Sequence, residues 1–427
     1  MKILVVGSGG REHALCRAFR KSSGVAEIFC ADGNAGIAEI AECIDIKPEE
    51  INKLADFAAE NAIDLTFVGG ETALALGIFD EFEKRNLKII GASRRAAQLE
   101  ASKAFAKDFM FRHRIPTAAY EIADSTEKAA EILRGGGKFG DENAPVVVKA
   151  DGLAAGKGVV VASNRRDALD ALDELETIVG KEAASKIVLE ECLVGREVSL
   201  ILFADGKNFA LMPPARDHKR IGEGDTGANT GGMGVITDAG LLSEEQTRAI
   251  AEKIIKPTLD GCRAEGFEFR GILFLGLMMT ERGAFVLEYN VRFGDPETQA
   301  ILIRLETDFI EICEAILAQT LDKASIEWKP GSSACVVLAS KGYPAKARKG
   351  DAIRGLDEAA AASIDENVFV FHAGTAKNES GELVTAGGRV LGVTATADNL
   401  DEALKRAYNA VGKISWDGMQ FRRDIGR

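Results

Sequence analysis

The first hundred residues alternate short β-rich runs with helical stretches, and this alternation constrains the fold more than any other feature of the chain. The β-rich runs are "KILVV", "EIFCA", "DLTFVG" and "LKIIGA". A helical segment is expected from Arg11, and another from Pro48, which suits a first helical turn. Strands that alternate with helices form a parallel sheet with helices on both faces. We therefore expect residues 1–101 to form an N-terminal α/β domain with a doubly wound parallel sheet.

The rest of the chain has a different pattern. Apolar runs occur in pairs joined by short connections, as "ILFLGLMM" and "AFVLEYN" are joined by "TERG", which predicts antiparallel hairpins. Helical stretches lie between these pairs, so an α+β domain is expected over residues 102–328. Residues 329–427 return to short strands and one helix, from Asn399 to Gly412, which predicts a small C-terminal domain of mixed β/α structure.

Charge and composition limit the class of protein. The 427 residues carry a formal net charge of −13. This charge argues against extensive binding of nucleic acid, which needs a basic face. The apolar run from Gly271 to Met279 is too short to span a bilayer, and the N-terminal apolar run is too short for a signal peptide. The seven cysteines form no CxxC pair and the four histidines are far apart. We expect a cytoplasmic protein with reduced thiols, no zinc site, and no nucleic-acid or membrane partner.

A first glycine cluster, "VVGSGGREHAL", follows the first strand. The dinucleotide fingerprint GxGxxG would need glycine where Glu12 stands, so the signal for NAD is weak. A strand that leads through glycines into a helix still favours an anion, because the first N–H groups of the helix have no partner within it. Gly9 and Gly10 exceed what a turn needs, which favours a ligand over a plain strand-to-helix turn.

A second glycine-rich segment, "KADGLAAGKGVVVA", differs from a Walker A loop. Only three residues separate Gly152 from Gly156, and Lys157 is followed by Gly158 instead of a hydroxyl residue. The segment lies between two strands, "VVVKA" and "GVVVA", so it is predicted to be a hairpin whose tip folds over a nucleotide. Lys149 on the incoming strand would place a fixed charge near the phosphates. The alternative is an exposed flexible hairpin with incidental lysines.

Polar residues follow an apolar strand in "VLEYNVRFGDPETQ". Glu288 and Asn290 are two residues apart, so both side chains face the same side of the strand. Two oxygen ligands at this spacing suit Mg²⁺ that bridges phosphates. Arg292 continues the same face and could stabilise a phosphoryl group in transfer. The alternative is an amphipathic strand end with a polar turn.

Two further segments carry polar residues suited to ligands. In "VLEECLVGREVSL", the backbone between two strands can read an adenine edge, and the carboxylate of Glu197 can bond both ribose hydroxyls. Residues 215–234 are rich in glycine and have no hydrophobic periodicity, which predicts a functional loop without secondary structure of its own. Asp217, Lys219 and Arg220 offer polar contacts there, and His218 is either a general base or a structural histidine.

The order and spacing of "ADGLAAGKGV", "DHKRIGEGDTGANTGGMG" and "EYNVRFGDPETQ" resemble the ATP-grasp ligases. With "GSGGREHAL", "GNAG", "LEASKAFAKDF", "FHAGT" and "GGRVL", essentially the whole chain is similar to the glycinamide ribonucleotide synthetases of purine biosynthesis. The resemblance implies a central ATP-grasp fold with a small lid subdomain at about residues 121–194. It also implies that ATP phosphorylates the carboxylate of glycine, and that the amine of 5-phosphoribosylamine attacks the glycyl phosphate. Mg²⁺ or Mn²⁺ is the implied cofactor.

The resemblance assigns a role to individual residues of this chain. Those implied to bind ATP are Lys103, Lys149, Gly156, Lys157, Gly158, Glu190, Glu191, Leu193, Val194 and Glu197. Those implied to bind the other substrates are Gly9, Gly10, Arg11, Asn34, Gly36, Glu71, Asp217, Lys219, Arg292 and Gly294. The implied catalytic residues are Arg292, Lys157 and Asp217; the implied metal ligands are Glu288 and Asn290, with Glu268, Asp295 and Glu297 as further candidates. Asp32, Gly70 and Ala228 stand where the family commonly has proline.

Three other functions stay open at this point. The chain could be an ATP-grasp ligase for a different carboxylate and amine, an NAD-dependent oxidoreductase that uses the N-terminal domain, or a nucleotide sensor without catalytic activity. A monomer is expected, with a dimer as the alternative.

Overall fold

The computed structural model describes residues 1–135, 138–152, 158–180, 184–361 and 367–427. The N-terminal strands are β1 (Lys2–Gly7), β2 (Glu27–Asp32), β3 (Glu42–Ile44), β4 (Leu65–Val68) and β5 (Ile89–Ile90). They form one parallel sheet in the order β3-β2-β1-β4-β5. The helices between them are α1 (Gly10–Lys21), α2 (Ile51–Glu60), α3 (Glu71–Leu76) and α4 (Ile78–Lys84). The predicted doubly wound sheet is confirmed.

Strand β1 shows why this sheet needs helices on both faces. Ile3 and Val5 pack into one hydrophobic core, whereas Leu4 and Val6 pack into another on the opposite face. A parallel strand buried on both sides has this continuous apolar pattern. The helix expected from Pro48 begins at Ile51 instead, because residues 47–50 form a turn closed by a backbone hydrogen bond of 2.9 Å.

The strand order reverses between β1 and β4, and this reversal places a crevice at their carboxyl ends. In open α/β sheets ligands bind at such a switch point. Gly9 follows β1 and precedes α1, and Gly70 follows β4 and precedes α3. Both loops therefore line the crevice.

A small antiparallel sheet follows helices α5 (Gln98–Ala101) and α6 (Lys103–Arg112). Its strands are β6 (Tyr120–Ala123), β7 (Val146–Ala150), β8 (Val159–Ala162) and β9 (Ile187–Glu191), in the order β6-β9-β7-β8. Helices α7 (Thr126–Gly135) and α8 (Arg165–Val179) pack on it and form a separate hydrophobic core that includes Leu133, Val148 and Leu172. The β7–β8 pair is the predicted hairpin. We call this unit, which has its own hydrophobic core, the lid; its closing over a nucleotide stays a prediction.

The remaining described strands build mainly one large sheet and two hairpins. They are β10 (Arg196–Asp205), β11 (Phe209–Leu211), β12 (Ala215–Asp217), β13 (Arg220–Gly222), β14 (Thr226–Asn229), β15 (Gly234–Thr237), β16 (Arg270–Thr280), β17 (Gly283–Asn290), β18 (Ser332–Ala339), β19 (Val368–His372), β20 (Thr375–Lys377), β21 (Leu383–Thr385) and β22 (Arg389–Ala397). The large sheet has the order β17-β16-β10-β12-β15-β18-β22-β19, with β11 beside β10. Because β15 pairs with β18, the sheet continues across the predicted boundary at residue 329, which stays a prediction.

The described helices of this part pack around the large sheet. They are α9 (Glu244–Ile250), α10 (Lys256–Ala264), α11 (Glu297–Leu302), α12 (Phe309–Ala318), α13 (Leu356–Ala361) and α14 (Leu400–Val411), with a π-helical segment, Ala251–Ile255, between α9 and α10. Over the residues described, no helix combines the length and apolar character needed to cross a membrane.

The prediction that residues 215–234 lack secondary structure is wrong. They contain strand β12, the β13–β14 hairpin and the start of β15. Gly224 and Asp225 turn the hairpin with φ of 65° and 53°, and Thr226 Oγ1 donates to the carbonyl of Glu223 at 2.9 Å. A hairpin closed by backbone pairing and a tight turn needs no apolar periodicity, so the sequence pattern gave no signal for it.

Candidate active site

The candidate site lies where the lid, the end of β17 and the N-terminal crevice meet. Lys149 Nζ on lid strand β7 donates to the carbonyl of Leu287 on β17 at 3.2 Å. Arg292, just beyond β17, contacts Glu71 of the N-terminal domain, with Nε and Oε2 3.2 Å apart. The three parts of the chain thus bring their predicted site residues to one place.

A β-bulge shapes the end of β17. Glu288 pairs with Gly276, but Val286 pairs with Leu277, so Leu287 is the extra residue. Bulges re-aim side chains next to active sites, and here the bulged carbonyl is the one that accepts from Lys149. A Cβ at Gly276 would lie only 3.1 Å from Cγ of Glu288, so glycine there gives the Glu288 side chain its room.

Glu288 is an ionised carboxylate among ammonium groups. Burial raises its pKa, but Lys219, Lys149 and Lys103 outweigh that effect and hold the pKa below its usual range. Lys219 Nζ lies 3.7 Å from Glu288 Oε1. Three ammonium groups around one carboxylate supply cationic donors of the kind that a polyphosphate binds.

Lys219 links Glu288 to the predicted ribose carboxylate. Its Nζ lies 3.4 Å from Glu197 Oε2, and the two side chains are 44% and 51% exposed. A small cavity between β10, β12 and β16 is lined by Glu197, Ser199, Asp217 and Lys219 among others. We call Lys219, Glu197 and Glu288 the open cluster, because long contacts and exposure leave these groups accessible.

Asp217 and Glu297 form a second acidic feature beside this cavity. Burial raises the pKa of both carboxyl groups, and the charge of Glu297 raises the pKa of Asp217 further. Ser199 Oγ donates to Glu297 Oε1 at 3.3 Å. A Cβ at Gly232 would lie 2.7 Å from Asp217 Oδ1 and 2.6 Å from Cδ of Pro296, so the wall here is closely packed. A carboxyl group whose pKa is raised by a neighbouring carboxylate is suited to receive a cation.

Arg292 is held by carboxylates from the N-terminal part of the chain. Its Nη2 lies 2.7 Å from Glu100 Oε1 and donates to Asn290 Oδ1 at 3.1 Å. Burial lowers the pKa of Arg292, but Glu100 and Glu71 outweigh it and raise the pKa. The guanidinium therefore stays charged and connects the face of β17 that carries the predicted metal ligands to the N-terminal crevice.

Glu12 explains why the first glycine cluster is not a dinucleotide site. Its Oε2 accepts from the backbone N–H of Gly9 at 2.6 Å, and its Oε1 accepts from Arg11 Nε at 2.6 Å. A Cβ at Gly7 would lie 2.7 Å from Glu12 Cδ, and one at Gly69 would overlap the carboxylate. The carboxylate thus fills the glycine-lined space that a dinucleotide pyrophosphate would need.

Asn34 and Gly36 organise the neighbouring loop. The Asn34 amide donates to the carbonyls of Ser8 at 2.8 Å and of His372 at 2.9 Å, while its Oδ1 accepts from the Gly36 N–H at 2.9 Å. A Cβ at Gly36 would overlap the His372 ring. Asp32, where proline is common, has φ of 75°, which a proline ring cannot adopt. A role of Asn34 and Gly36 in substrate binding stays a prediction.

The predicted adenine segment connects β9 to β10. Val194 is 83% exposed although it is apolar, whereas Leu193 is buried against the protein. Glu191 is paired through its side chain with Arg282, at 2.9 Å. An exposed apolar residue beside a buried one gives this connection a surface on which a flat base can lie.

The base of the hairpin is tied to helix α6. Lys103 Nζ donates to the carbonyl of Gly152 at 2.8 Å, and Asp151 accepts from Ser102 Oγ at 3.0 Å. The carbonyl of Gly158 accepts from the Ala150 N–H at 2.8 Å and closes the hairpin. The predicted residues Gly156 and Lys157 lie outside the described residues.

The structure gives other predicted residues a place. Gly294 packs against Glu297, and Gly10 packs against the amide of Gln299. Both ring nitrogens of His218 contact backbone groups, Nδ1 with the Gly234 carbonyl and Nε2 with the Gly426 N–H, each at 3.1 Å. Its interactions are those of a structural histidine.

The further metal candidates occupy different places. Glu268 pairs with Arg270 at 2.7 Å, and Arg270 begins β16, roughly 20 Å along the strand from Gly276. Asp295 lies beside Arg389, with Oδ2 and Nη2 3.5 Å apart.

Sequence reasoning missed Glu100, Lys107 and Arg389. Glu100 accepts from the Val291 N–H at 2.8 Å, and Arg389 donates to the carbonyl of Asp295 at 2.6 Å. Lys107 contacts Glu190 in the lid. The one available signal was the spacing of Lys103 and Lys107, because residues four apart share a helix face.

The donor set at the end of β17 fits Mg²⁺. No group of three or more His, Cys, Asp or Glu side chains suited to a metal exists among the described residues. Mg²⁺ commonly uses only one or two protein carboxylates and takes its remaining ligands from water and substrate phosphates. The ionised Glu288 and the amide oxygen of Asn290 meet that requirement.

The comparisons with known proteins agree along the whole chain. Family profiles of phosphoribosylglycinamide synthetase match its N domain to residues 1–100, its ATP-grasp (A) domain to residues 101–298 and its C domain to residues 333–427. The match confirms the predicted ATP-grasp fold and the use of ATP by a ligase of this class.

Individual relatives align with this chain over almost the full length of both sequences. The phosphoribosylamine–glycine ligase of Caldanaerobacter subterraneus is 45% identical over 429 aligned residues, 100% of this chain and 99% of the relative. That of Pseudomonas aeruginosa is 46% identical over 430 residues, 100% of this chain and 97% of the relative. The crystal structure of phosphoribosylamine–glycine ligase from Thermotoga maritima is similar with a TM-score of 0.83 and 32% identity, over 99% of this chain and 100% of that one. The chain belongs to the phosphoribosylglycinamide synthetase family.

Proposed function

We propose that this chain is an ATP-dependent ligase that joins glycine to 5-phosphoribosylamine and releases glycinamide ribonucleotide, ADP and phosphate. One observation carries the proposal: Lys103, Lys149, Lys219 and Arg292 converge around the carboxylate of Glu288, between a lid and a switch-point crevice. The relatives named phosphoribosylamine–glycine ligase support the identity of the substrates.

ATP lies between the lid and the large sheet. Its adenine is placed against residues 192–194, and its ribose hydroxyls bond the carboxylate of Glu197. Its phosphates lie under the β7–β8 hairpin, near Lys103 and Lys149. Both lysines are anchored to backbone carbonyls at this hairpin and at β17, which supports their use as fixed charges.

Glu288 and Asn290 would hold the Mg²⁺ ion. When bound there, Mg²⁺ would neutralise charge on the transferring phosphate. Arg292 adds a fixed cation beside the same face, and its contacts with Glu71 and Glu100 keep the guanidinium in place. Charge that develops during transfer is thus met by groups already in position.

The glycine carboxylate is the nucleophile of the first step. One of its oxygens bonds to the γ-phosphorus of ATP as the bond to the β,γ-bridging oxygen breaks, and ADP leaves. Asp217 and Glu297 supply carboxyl groups for the ammonium of glycine, and the packing around Gly232 leaves little room for a side chain. The lid keeps water from the acyl phosphate, which water would hydrolyse.

The amine substrate occupies the switch-point crevice. Gly9, Gly10, Arg11 and Glu71 line it, and Arg292 connects it to the phosphate site. The amine nitrogen bonds to the acyl carbon, the bond from that carbon to the phosphate oxygen breaks, and the amine releases a proton. The chain needs no covalent intermediate with the protein in either step.

The test is ADP release with glycine alone, phosphoribosylamine alone, and both. The proposal expects fast release only with both substrates. If ADP is released without glycine or phosphoribosylamine, or only with another amine, the protein has a different ATP-grasp activity and the proposal is wrong. A monomer in the cytoplasm stays the prediction of the sequence.

A further inference from the structure

A buried triad of charges lies beneath the phosphate end of the site. Lys107 Nζ is 2.8 Å from Glu190 Oε2, and Lys149 Nζ is 2.8 Å from Glu190 Oε1. The side chains of Lys107 and Glu190 are each only 2% exposed. Lys107 comes from α6, Glu190 from β9 and Lys149 from β7, so the triad joins three elements. We call these residues the buried triad.

Lys107 is also fixed to the strand that carries the metal ligands. Its Nζ donates to Thr117 Oγ1 at 2.7 Å, and Thr117 Oγ1 donates to the carbonyl of Val286 at 2.7 Å. Val286 directly precedes the bulge at Leu287, whose carbonyl accepts from Lys149. Both lysines of the triad are therefore anchored to the same few residues of β17.

The charge balance of the triad bears on the nucleotide. Paired with Glu190 alone, Lys149 would belong to a neutral pair, and its ammonium would offer little net attraction to a phosphate. With Lys107 on the other oxygen of Glu190, the triad has two cations and one anion. The net positive charge is then available on Lys149, the member that faces Glu288 across the site.

We propose that Lys107 is a positioning residue for ATP: by sharing the Glu190 carboxylate, it leaves part of the positive charge of Lys149 to attract the phosphates. The proposal rests on the proposed function only in taking ATP as the nucleotide. A merely structural role for Lys107 makes a different prediction, because any loss of packing would then weaken binding of the base as much as binding of the phosphates.

The test measures dissociation constants by calorimetry for ATP with Mg²⁺ and for adenosine, which has no phosphate. The variants are Lys107→Met, the double variant Lys107→Met with Glu190→Gln, and the control Lys128→Met, whose lysine is exposed on α7 and pairs with Glu131 at 2.8 Å. We expect Lys107→Met to weaken ATP binding about tenfold and adenosine binding less than twofold. The double variant removes the competing anion, so its ATP affinity should return to within about threefold of wild type.

Three results would overturn the proposal: an unchanged ATP affinity in Lys107→Met, an equal loss for adenosine, or a double variant as weak as the single one. If Lys107→Met does not fold, the double variant is compared with Glu190→Gln alone. The Glu190 charge no longer competes for Lys149 in either, so their ATP affinities should agree within about threefold, and a tenfold difference would contradict the proposal. Failure of glycine-dependent turnover would refute the ligase assignment and leave this binding test intact.

Discussion

The buried triad and the open cluster contain the same two residue types and lie beside the same site, yet they differ in every contact. In the buried triad, Glu190 meets two ammonium groups at 2.8 Å, and its side chain is almost wholly buried. In the open cluster, Lys219 lies 3.4 and 3.7 Å from two carboxylates that are half-exposed. The charges of the buried triad have close partners within the protein, whereas the charges of the open cluster are partly exposed and more loosely paired.

The energetics of ion pairs explain what this difference does. Exposed pairs are worth roughly 0–1 kcal/mol, so a ligand can replace the contacts of Lys219 at little cost. Removal of one partner from a buried pair costs roughly 3–5 kcal/mol, because the other charge is left unpaired in the low-dielectric interior of the protein. The open cluster can therefore rearrange on binding, while the buried triad keeps its geometry and serves as a fixed support.

The largest effect is expected in the open cluster, from Glu288→Gln. The change removes the charge that would hold Mg²⁺ and that balances three lysines, so turnover should fall by roughly 10²–10³-fold. Glycine-dependent ADP release measures it. Glu252→Gln is the control, since Glu252 pairs with Lys256 on the helical surface at 2.5 Å and should keep wild-type turnover. Normal turnover from Glu288→Gln would exclude a metal role for this carboxylate.

The next largest effects distinguish Lys149 from Lys157, because one variant should change ATP affinity and the other turnover. Lys149→Ala removes a member of the buried triad and should weaken ATP binding by about thirtyfold, the order expected for a hydrogen bond to a charged group. Lys157→Ala, predicted from the sequence to act at the hairpin tip, should instead slow turnover and leave ATP affinity within about threefold. Titration calorimetry and steady-state rates on both variants give the comparison. If both variants changed ATP affinity and turnover to the same extent, the two lysines would not have separate roles.

A smaller effect concerns pH and tests the buried triad directly. Burial lowers the pKa of Lys107 to about 8, although Glu190 raises it; Lys149 and Glu288 also act on this group. As pH rises through that value Lys107 loses its charge, and Glu190 then pairs with Lys149 alone. ATP affinity should fall about fivefold between pH 7 and pH 9 in wild type. Lys107→Met should lack this step, and a parallel fall in both proteins would contradict the assignment.

The smallest effect is expected from Glu197→Gln in the open cluster. An amide can still bond one ribose hydroxyl but binds less strongly than a carboxylate, so ATP affinity should fall about threefold. The preference for ATP over 2′-deoxy-ATP should shrink with it, and competition binding with the two nucleotides measures this preference. An undiminished preference would place the ribose elsewhere.

Much of the fold follows from local sequence patterns. The alternation of "KILVV" with a helical stretch predicts β1 and α1, and "TERG" between apolar runs predicts the β16–β17 hairpin. The β13–β14 hairpin could not be predicted in this way, since its pairing depends on backbone groups and on two residues at positive φ. The large sheet continues from β15 to β18, two strands that are separated by about a hundred residues. Local hydrophobic periodicity cannot predict pairing between strands so far apart in the sequence.

The sequence by itself determined the family of this protein, because the combination of its motifs indicates an ATP-grasp ligase. The spacing of Glu288 and Asn290 along one strand predicted a metal site, and the lysines of the glycine-rich hairpin predicted a phosphate site. Only the tertiary structure decided which charges meet. It folded the Glu12 carboxylate into the glycine crevice and placed Lys107 against Glu190, 83 residues later in the chain. The physical reason is that spacing fixes which way a side chain points along its own element, whereas burial and ion pairing depend on how separate elements pack.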